Sequence, residues 1–228
     1  MVFGKMNDLV VIYEDNHIIV VVKPENVLSQ SDSSGDIDLL TMVKSYIKEK
    51  HNKPGNVYVG LIHRLDRPVG GIMVFAKTSK AAKRLNEQIK NGNFKKTYVL
   101  ICEGHIENKA DTLINYLYKD EKLCVSKVVN ENHPGAKLSK LEYEVINYID
   151  NKTIVKVNLL TGRHHQIRLQ FSNMNHPICG DVRYGSKSNF NLRLYAYKLE
   201  FKHPVKNEFM EFIKLPSWEE IKNETTIH

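Results

Sequence analysis

The chain reads HRLDRPVGGIMVFAKT from His63 to Thr78, and this stretch decides the prediction for the fold. Two apolar runs flank its charged start, Val57–Ile62 and Ile72–Ala76, and both are typical of buried strands. A carboxylate between two guanidinium groups at a strand end must be solvated, paired or used chemically, because an unpaired buried charge costs several kcal/mol. Pro68 and the Gly70-Gly71 pair then allow a sharp turn and a close approach to a ligand. The stretch therefore predicts either an ion-pair cluster or a reactive site.

Length and composition are those of an ordinary globular protein. The 228 residues are 42% hydrophobic and 26% charged. Lys and Arg number 33 against 26 Asp and Glu, a net charge of +7. This excess favours a polyanionic partner such as RNA, although it also serves solubility. No apolar run approaches the ~20 residues of a membrane helix, so no membrane association is expected.

The cysteines carry no metal or redox pattern. Cys102, Cys124 and Cys179 lie far apart without a Cys-x-x-Cys pair, which argues against a zinc ribbon or a redox centre. Free thiols without a secretory signal predict a reducing, cytoplasmic location.

Local patterns predict more strands than helices. An opening hairpin is predicted from Leu9–Tyr13 and His17–Val22, and a closing one from Tyr195–Phe201 and Glu208–Ile213. Further strands are predicted at Thr97–Cys102, Lys122–Val129, Leu138–Ile149 and Thr153–Leu160. Several of these alternate apolar and polar residues, as antiparallel strands with one wet face do. The expected class is α+β, with a mixed, largely antiparallel central sheet and flanking helices.

Three helices are predicted from caps and periodicity. One follows Asp36 or Asp38, one follows Thr78 or Ser79, and one covers about His165–Met174. The second has a strongly basic environment, with one acid, Glu87, among Lys77, Lys80, Lys83, Arg84, Lys90, Lys95 and Lys96. Such a face suits a phosphate backbone, and the alternative is a solvated charged face.

Three sequence blocks together resemble the RluA-type pseudouridine synthases. They are His63-Arg64-Leu65-Asp66 with Gly71 and Ile72–Thr78, then Lys96-Thr97-Tyr98, then Leu160–Arg168 continuing to Gly185. Their order and spacing match over about Leu9–Pro216, which makes the joint pattern far more specific than any one block. The resemblance implies one catalytic domain over residues 1–228, without an N-terminal accessory RNA-binding domain.

The resemblance assigns three residues to the reaction. Pseudouridine formation breaks the bond from the base nitrogen to ribose, turns the base over and rejoins it through carbon 5. Asp66 is implied as the catalytic aspartate, acting as nucleophile or as base, and either role needs its ionised form. Arg168 is implied as its cationic partner, since a planar guanidinium matches a carboxylate. Tyr98 is implied to stack on the target base, because a phenol with a pKa near ~10 is a poor base at neutral pH.

Contacts with RNA are expected around these residues. Arg64 is implied as the side chain that fills the space left by a flipped base, with a strand-end ion pair as the alternative. For Arg163 a structural role stays open, and for His165 a hydrogen-bonded scaffold role. The expected RNA-binding residues are Arg64, Arg67, Lys80, Lys83, Arg84, Lys96, Arg163 and His165.

Four histidines invite a metal interpretation, which their spacing does not support. They are His63, His164, His165 and His176. Adjacent histidines point in different directions, and no His-x-x-His or Glu-rich ligand set accompanies them. We therefore expect no metal and no cofactor, and His63 and His165 as scaffold residues.

One segment departs from the family pattern. Many members carry Thr-Ser before the motif glycine, whereas this chain has Val69-Gly70. Any hydroxyl contact that those members make there is therefore absent from this chain. The aspartate, tyrosine and arginine of the pattern are all present.

The favoured hypothesis is a cytoplasmic monomer that isomerises specific uridines in structured RNA, either rRNA or tRNA, and binds neither membrane nor DNA. A glycosidase-like enzyme would also use Asp66, but it needs a second carboxylate at a defined separation, and none is evident. A non-catalytic RNA-binding protein on the same fold would tolerate loss of Asp66 or Arg168, and both are present.

The absence of a metal-ligand cluster and of a nucleotide fingerprint predicts that activity survives exhaustive chelation. Tritium release from RNA labelled at carbon 5 of uridine measures it, before and after treatment with a chelator. A loss restored by a divalent ion would contradict the prediction, provided that circular dichroism shows the RNA fold unchanged by the chelator.

Overall fold

The structure is a computed structural model, and it describes residues 9–222. Contacts divide these residues into two compact units. Unit 1 contains residues 9–94 and 196–215, and unit 2 contains residues 95–195 and 216–222. The fold is α+β, with mixed, largely antiparallel strand pairing and flanking helices, which confirms the predicted class.

Eleven strands and three α-helices follow one another along the described residues. In chain order they are β1 (Val10–Glu14), β2 (Ile18–Lys23), α1 (Leu39–Lys50), β3 (Gly60–Leu61), β4 (Gly70–Ala76), α2 (Ser79–Lys90), β5 (Lys95–Glu103), β6 (Ala110–Asp120), β7 (Val125–Val129), β8 (Lys137–Ile149), β9 (Lys152–Leu159), α3 (Gln166–Asn173), β10 (Leu194–Lys202) and β11 (Phe209–Ile213). None of these helices is long and apolar enough to cross a membrane.

In unit 1 the central strand pair is β2 with β4, which run antiparallel. Its register sets Ile18 opposite Ala76 and Lys23 opposite Gly71. β1 pairs with the outer side of β2, β3 with β4, and β11 with β10. Helix α2 buries Ala81 and Leu85 in the same apolar cluster as the β2 and β4 side chains. Both strands are buried along their length, which explains their almost unbroken β-branched and apolar sequence.

In unit 2 the strand order is β5, β9, β8, β6, β7, and every adjacent pair is antiparallel. Helix α3 packs on one side of β6, where Gln170 Nε2 donates to Leu113 O at 3.2 Å and Leu169 clusters with Leu117. Ile114, which follows Leu113 on β6, points to the other side of the sheet and is exposed.

The caps of the first two helices confirm the sequence signals. Asp38 Oδ1 accepts from Thr41 N at 3.1 Å at the start of α1. Thr78 Oγ1 accepts from Ala81 N at 3.2 Å at the start of α2. In both cases the side chain satisfies a backbone N–H that the helix itself leaves unpaired.

Two strand predictions were wrong in their bounds, those at Val57–Ile62 and from Lys122, and one strand was missed. Within Val57–Ile62 only Gly60–Leu61 is a strand, because His63 Nε2 then accepts from Val74 N at 3.2 Å and replaces the next backbone pairing. Strand β6 was not predicted, since polar residues interrupt its apolar alternation. The strand predicted from Lys122 begins only at Val125.

A buried carboxylate joins β1, α1 and the end of β4. The side chain of Glu14 is 7% exposed, and its carboxylate accepts from Lys77 Nζ at 2.6 Å and Lys50 Nζ at 2.8 Å. His51 Nε2 lies 2.8 Å from the same group. Burial alone would raise the pKa of Glu14, but hydrogen bonds from Lys50, Lys77 and His51 outweigh it and lower the pKa from 4.5 to about 2.

Replacing Glu14 with Gln should lower the free energy of unfolding at neutral pH by about 3 kcal/mol, because the buried Lys77 ammonium loses its partner. The folded-state pKa lies below the unfolded value, so this contribution is complete above pH 4.5 and is lost as the pH falls through about 2. Urea unfolding at several pH values should therefore show that the difference in the free energy of unfolding between wild type and variant shrinks as the pH falls from 4.5 to about 2.

The matched control is Glu49→Gln, on the exposed side of α1, which should change the free energy by no more than about 0.5 kcal/mol. Equal losses in the two variants would contradict the buried-pair argument.

Candidate active site

In unit 1 the charged segment of the motif forms a tight turn. Val69 N donates to Asp66 O at 3.0 Å, which closes the turn. The side chain of Asp66 is half-buried, while Arg64 and Arg67 are exposed on either side of it. The segment thus presents one carboxylate between two cations that reach solvent.

Buried side chains hold both neighbours of Asp66 by their backbone. Ser29 Oγ donates to Leu65 O at 2.7 Å and accepts from Leu65 N at 3.1 Å. Lys23 Nζ donates to Arg67 O at 3.0 Å, and also to Pro24 O at 2.9 Å and Val27 O at 2.6 Å. The position of the Asp66 backbone is therefore fixed on both sides.

The ammonium of Lys23 is fully buried, which is rare for lysine. Burial lowers its pKa to about 7, and the nearby Asp66 carboxylate acts in the opposite direction. Three carbonyl oxygens take the place of its hydration shell. Sequence reasoning missed both Lys23 and Ser29, because the predicted hairpin ended at Val22 and no role was predicted for the residues that follow it.

Glycine is required where the motif enters β4. Gly71 has φ +137°, and a Cβ at this position would lie 2.4 Å from Ala196 O and 2.6 Å from Ala196 Cβ. No side chain fits at such distances, so β4 and β10 approach each other only with glycine here.

The other cations of unit 1 differ in their exposure. Lys80 and Lys83 are exposed on α2. Arg84 is half-buried, and its Nη1 donates to Pro204 O at 2.7 Å, which ties α2 to the β10–β11 connection. Arg67 forms an ion pair with Asp36 at 2.6 Å. Two of the residues expected to bind RNA therefore also have structural contacts.

In unit 2 strand β5 carries Tyr98 and Lys96 on one face, since they are two residues apart. Tyr98 is 6% exposed and pairs in register with Val157 of β9. Lys96 is half-buried, and its Nζ lies 3.4 Å from the point that a Cβ on Gly162 would occupy. The second and third sequence blocks therefore meet at this position.

Arg168 is held by a buried carboxylate. Its Nε donates to Asp181 Oδ2 and its Nη2 to Asp181 Oδ1, both at 2.7 Å. Arg168 is 7% exposed and Asp181 2%. The Tyr184 ring supports the guanidinium, with Cζ of the arginine 5.2 Å from the ring centroid.

His165 contacts Tyr184, whose ring supports Arg168. Its Nδ1 lies 2.9 Å from the hydroxyl oxygen of Tyr184, which also accepts a hydrogen bond from Ser126 N. Burial first, and then the Arg168 charge, lower the pKa of His165 to about 2, so the ring is neutral. Its φ of 52° at the start of α3 is left-handed, a rare conformation for a residue other than glycine.

The loop before α3 is fixed by one glutamine. Gln166 Oε1 accepts from Arg163 N at 3.1 Å and from Thr161 Oγ1 at 2.8 Å, and its Nε2 donates to Lys140 O at 3.1 Å. The exposed Arg163 donates its Nε to Leu138 O at 3.0 Å.

Within residues 9–222 no group of three or more His, Cys, Asp or Glu side chains is arranged to hold a metal ion.

Comparisons with known proteins identify the family of the chain. A family model described as RNA pseudouridylate synthase matches residues 17–173. The uncharacterized RNA pseudouridine synthase YhcT of Bacillus subtilis is 29% identical over 213 residues, covering 92% of this chain and 69% of its own length. Ribosomal large subunit pseudouridine synthase C of Vibrio vulnificus is 30% identical over 228 residues, covering 96% and 69%.

A solved structure, human RNA pseudouridylate synthase domain containing 4, superposes with a TM-score of 0.76 at 20% identity, over 91% of this chain and 89% of that one. The fold is therefore that of a pseudouridylate synthase. The chain belongs to the RNA pseudouridylate synthase family, whose members are isomerases. It spans about two thirds of the length of the curated relatives it matches, 69% of the Bacillus protein and 64% of a Vibrio parahaemolyticus one.

Replacing Lys23 with Met should loosen the Asp66 turn, because three carbonyl oxygens lose their donor. We expect a net loss of about 1 to 3 kcal/mol in the free energy of unfolding. Hydrogen–deuterium exchange should accelerate at Val69 N, which closes the turn. The control Lys53→Met, at an exposed site, should leave both quantities unchanged. Unaltered exchange at Val69 in the Lys23 variant would contradict the positioning role.

Proposed function

We propose that the chain isomerises specific uridines in structured RNA to pseudouridine, with Asp66 as the catalytic carboxylate. The observation that carries the proposal is the fixed turn around Asp66, because Ser29 and Lys23 hold the backbone on both sides of it. A catalytic group must be held in its productive geometry before the substrate arrives. The family membership supplies the reaction class.

Arg168 and Tyr98 complete the proposed machinery. The role of Arg168 is to balance the charge of Asp66, and the bidentate pair with Asp181 supports it because that pair fixes the plane of the guanidinium. The role of Tyr98 is to stack on the target base. Its placement two residues from a lysine on one strand face supports a nucleotide site.

RNA is proposed to lie along the exposed cations. Arg64, Lys80 and Lys83 suit phosphate or base contacts, since they reach solvent. The contacts of Arg67, Arg84, Arg163 and His165 support structural roles in addition to the expected RNA contact. Names of relatives such as ribosomal large subunit pseudouridine synthase C favour ribosomal RNA over tRNA as the substrate. A single catalytic domain, acting as a monomer in the cytoplasm, remains part of the proposal.

A tritium assay separates this proposal from its alternatives. The substrate is RNA labelled at carbon 5 of uridine. Tritium release without free uracil supports the isomerase, because only reattachment through carbon 5 expels that hydrogen while keeping the base on the chain. Free uracil would indicate a glycosidase-like enzyme. Binding with neither product would indicate a non-catalytic RNA-binding protein.

Asp66→Asn should abolish pseudouridine formation while leaving a folded protein that binds RNA. Asn keeps the size of Asp and one acceptor oxygen, but an amide neither attacks nor deprotonates the substrate. We expect tritium release to fall at least about a hundredfold. Thermal melting and RNA affinity, measured on the same preparation, should remain close to wild type.

Two further variants sharpen the test. Arg168→Lys should be slow, because an ammonium lacks the planar fork that pairs with Asp181. Asp111→Asn, an exposed isosteric control in unit 2, should be fully active. Near-normal turnover by the Asp66 variant would refute its assignment as the catalytic residue.

A further inference from the structure

The half-buried ammonium of Lys96 has no anionic partner within residues 9–222. No carboxylate there forms an ion pair with its Nζ, and no oxygen in that part of the chain accepts a hydrogen bond from it. Burial lowers its pKa, with no neighbouring acid acting in the opposite direction. Charges withdrawn from water are normally paired, because leaving them unpaired is costly.

Three other buried or half-buried cations of the described residues are compensated. Arg168 has Asp181, and Lys77 has Glu14. Lys23 has three carbonyl oxygens. Lys96 differs from these three, and its burial lowers its pKa, whereas its position beside a glycine is specific. Its Nζ lies against the backbone of Gly162, 3.4 Å from where a Cβ would be, so the absence of a side chain there keeps one side of the ammonium open.

The neighbour of Lys96 on the same strand face indicates which anion completes the site. Tyr98 lies two residues further along β5, which is about 6.7 Å along a strand. An aromatic ring and an ammonium at this separation match the two ends of one nucleotide, a base that stacks and a phosphate that carries charge. The exposed Arg163, next to Gly162, adds positive charge on the solvent side.

We propose that Lys96, beside Gly162, binds a backbone phosphate of the substrate RNA at or next to the target uridine. This inference rests on the proposed function, because it takes the base at Tyr98 to be the one that reacts. The ammonium is held ready in a partly dehydrated position, so the phosphate meets a cation that has little water left to lose.

The variants that test the site are Lys96→Met, which keeps length and removes charge, and Lys96→Arg, which keeps charge. Lys122→Met is the control, at an exposed lysine in unit 2. Binding is measured by fluorescence anisotropy in the Asp66→Asn background, so that turnover does not intervene. The probe is a transcript from which wild type releases tritium, titrated at several salt concentrations.

We expect Lys96→Met to bind about tenfold more weakly and to reduce the log-log salt slope by about 0.7, the value for one phosphate on a single strand. Lys96→Arg should retain the wild-type slope, and Lys122→Met should match wild type in both quantities. The melting temperature of Lys96→Met should be equal or higher, because an unpaired half-buried charge has been removed. A lower melting temperature would indicate a structural role and overturn the proposal.

A chemical variant of the RNA makes the test independent of the protein fold. Two RNA probes are made, each with a neutral methylphosphonate in place of one of the two phosphates that flank the target uridine. Wild type should bind one of these two probes more weakly than the unmodified RNA. That methylphosphonate should not weaken RNA binding by Lys96→Met any further, since the two changes remove the same contact. Additive losses at both positions would overturn the site, as would an unchanged salt slope in Lys96→Met.

The outcome also separates this inference from the proposed function. If no transcript releases tritium from wild type, the proposed function fails, and the salt slopes are then measured with total RNA. A slope reduced by Lys96→Met on that probe would still support a phosphate site.

Discussion

The ammonium of Lys23 is the contact on which the Asp66 segment depends. It lies at the end of β2, and one of its three carbonyl partners belongs to Arg67, 44 residues further along the chain. The antiparallel register of β2 and β4 sets Lys23 opposite Gly71, so the pairing of these strands places the ammonium beside the Asp66 turn. Because the group is buried, its hydrogen bonds are not exchanged with water and hold the turn firmly. A strand end, a loop and a turn are thus fixed by one charge.

Much of this arrangement was predictable from local sequence. The β-branched runs of β2 and β4, the caps Asp38 and Thr78, and the fold class follow from patterns that neighbouring residues set by themselves. Strand β6 was not predictable in this way, because its pairing with β8 and its cover by α3 compensate for polar residues such as Asn115. Lys23 and Ser29 were missed for a related reason, because the carbonyl oxygens that connect them to the Asp66 turn lie 44 and 36 residues away in the sequence.

The distribution of charged residues in the sequence also did not predict which of them form contacts. Lys83 and Arg84 are adjacent and equally basic in the sequence, yet Lys83 is exposed while Arg84 donates to a carbonyl of the β10–β11 connection. A guanidinium forms such bonds through a rigid fork, whereas an ammonium on a flexible stem remains solvated more easily. The motif residues gave the reaction class, but the supporting groups Asp181 and Tyr184 became visible only when the fold placed them around an arginine.

The pair between Arg168 and Asp181 has an evolutionary consequence. Both side chains are buried, so loss of the arginine alone would leave the Asp181 carboxylate buried without its cationic partner, which costs several kcal/mol. A lineage that no longer needed the chemistry would be selected against at that intermediate step. Relaxed selection would then remove both residues together or neither. Paired absence at these two positions would mark a descendant that keeps the fold without the oriented guanidinium.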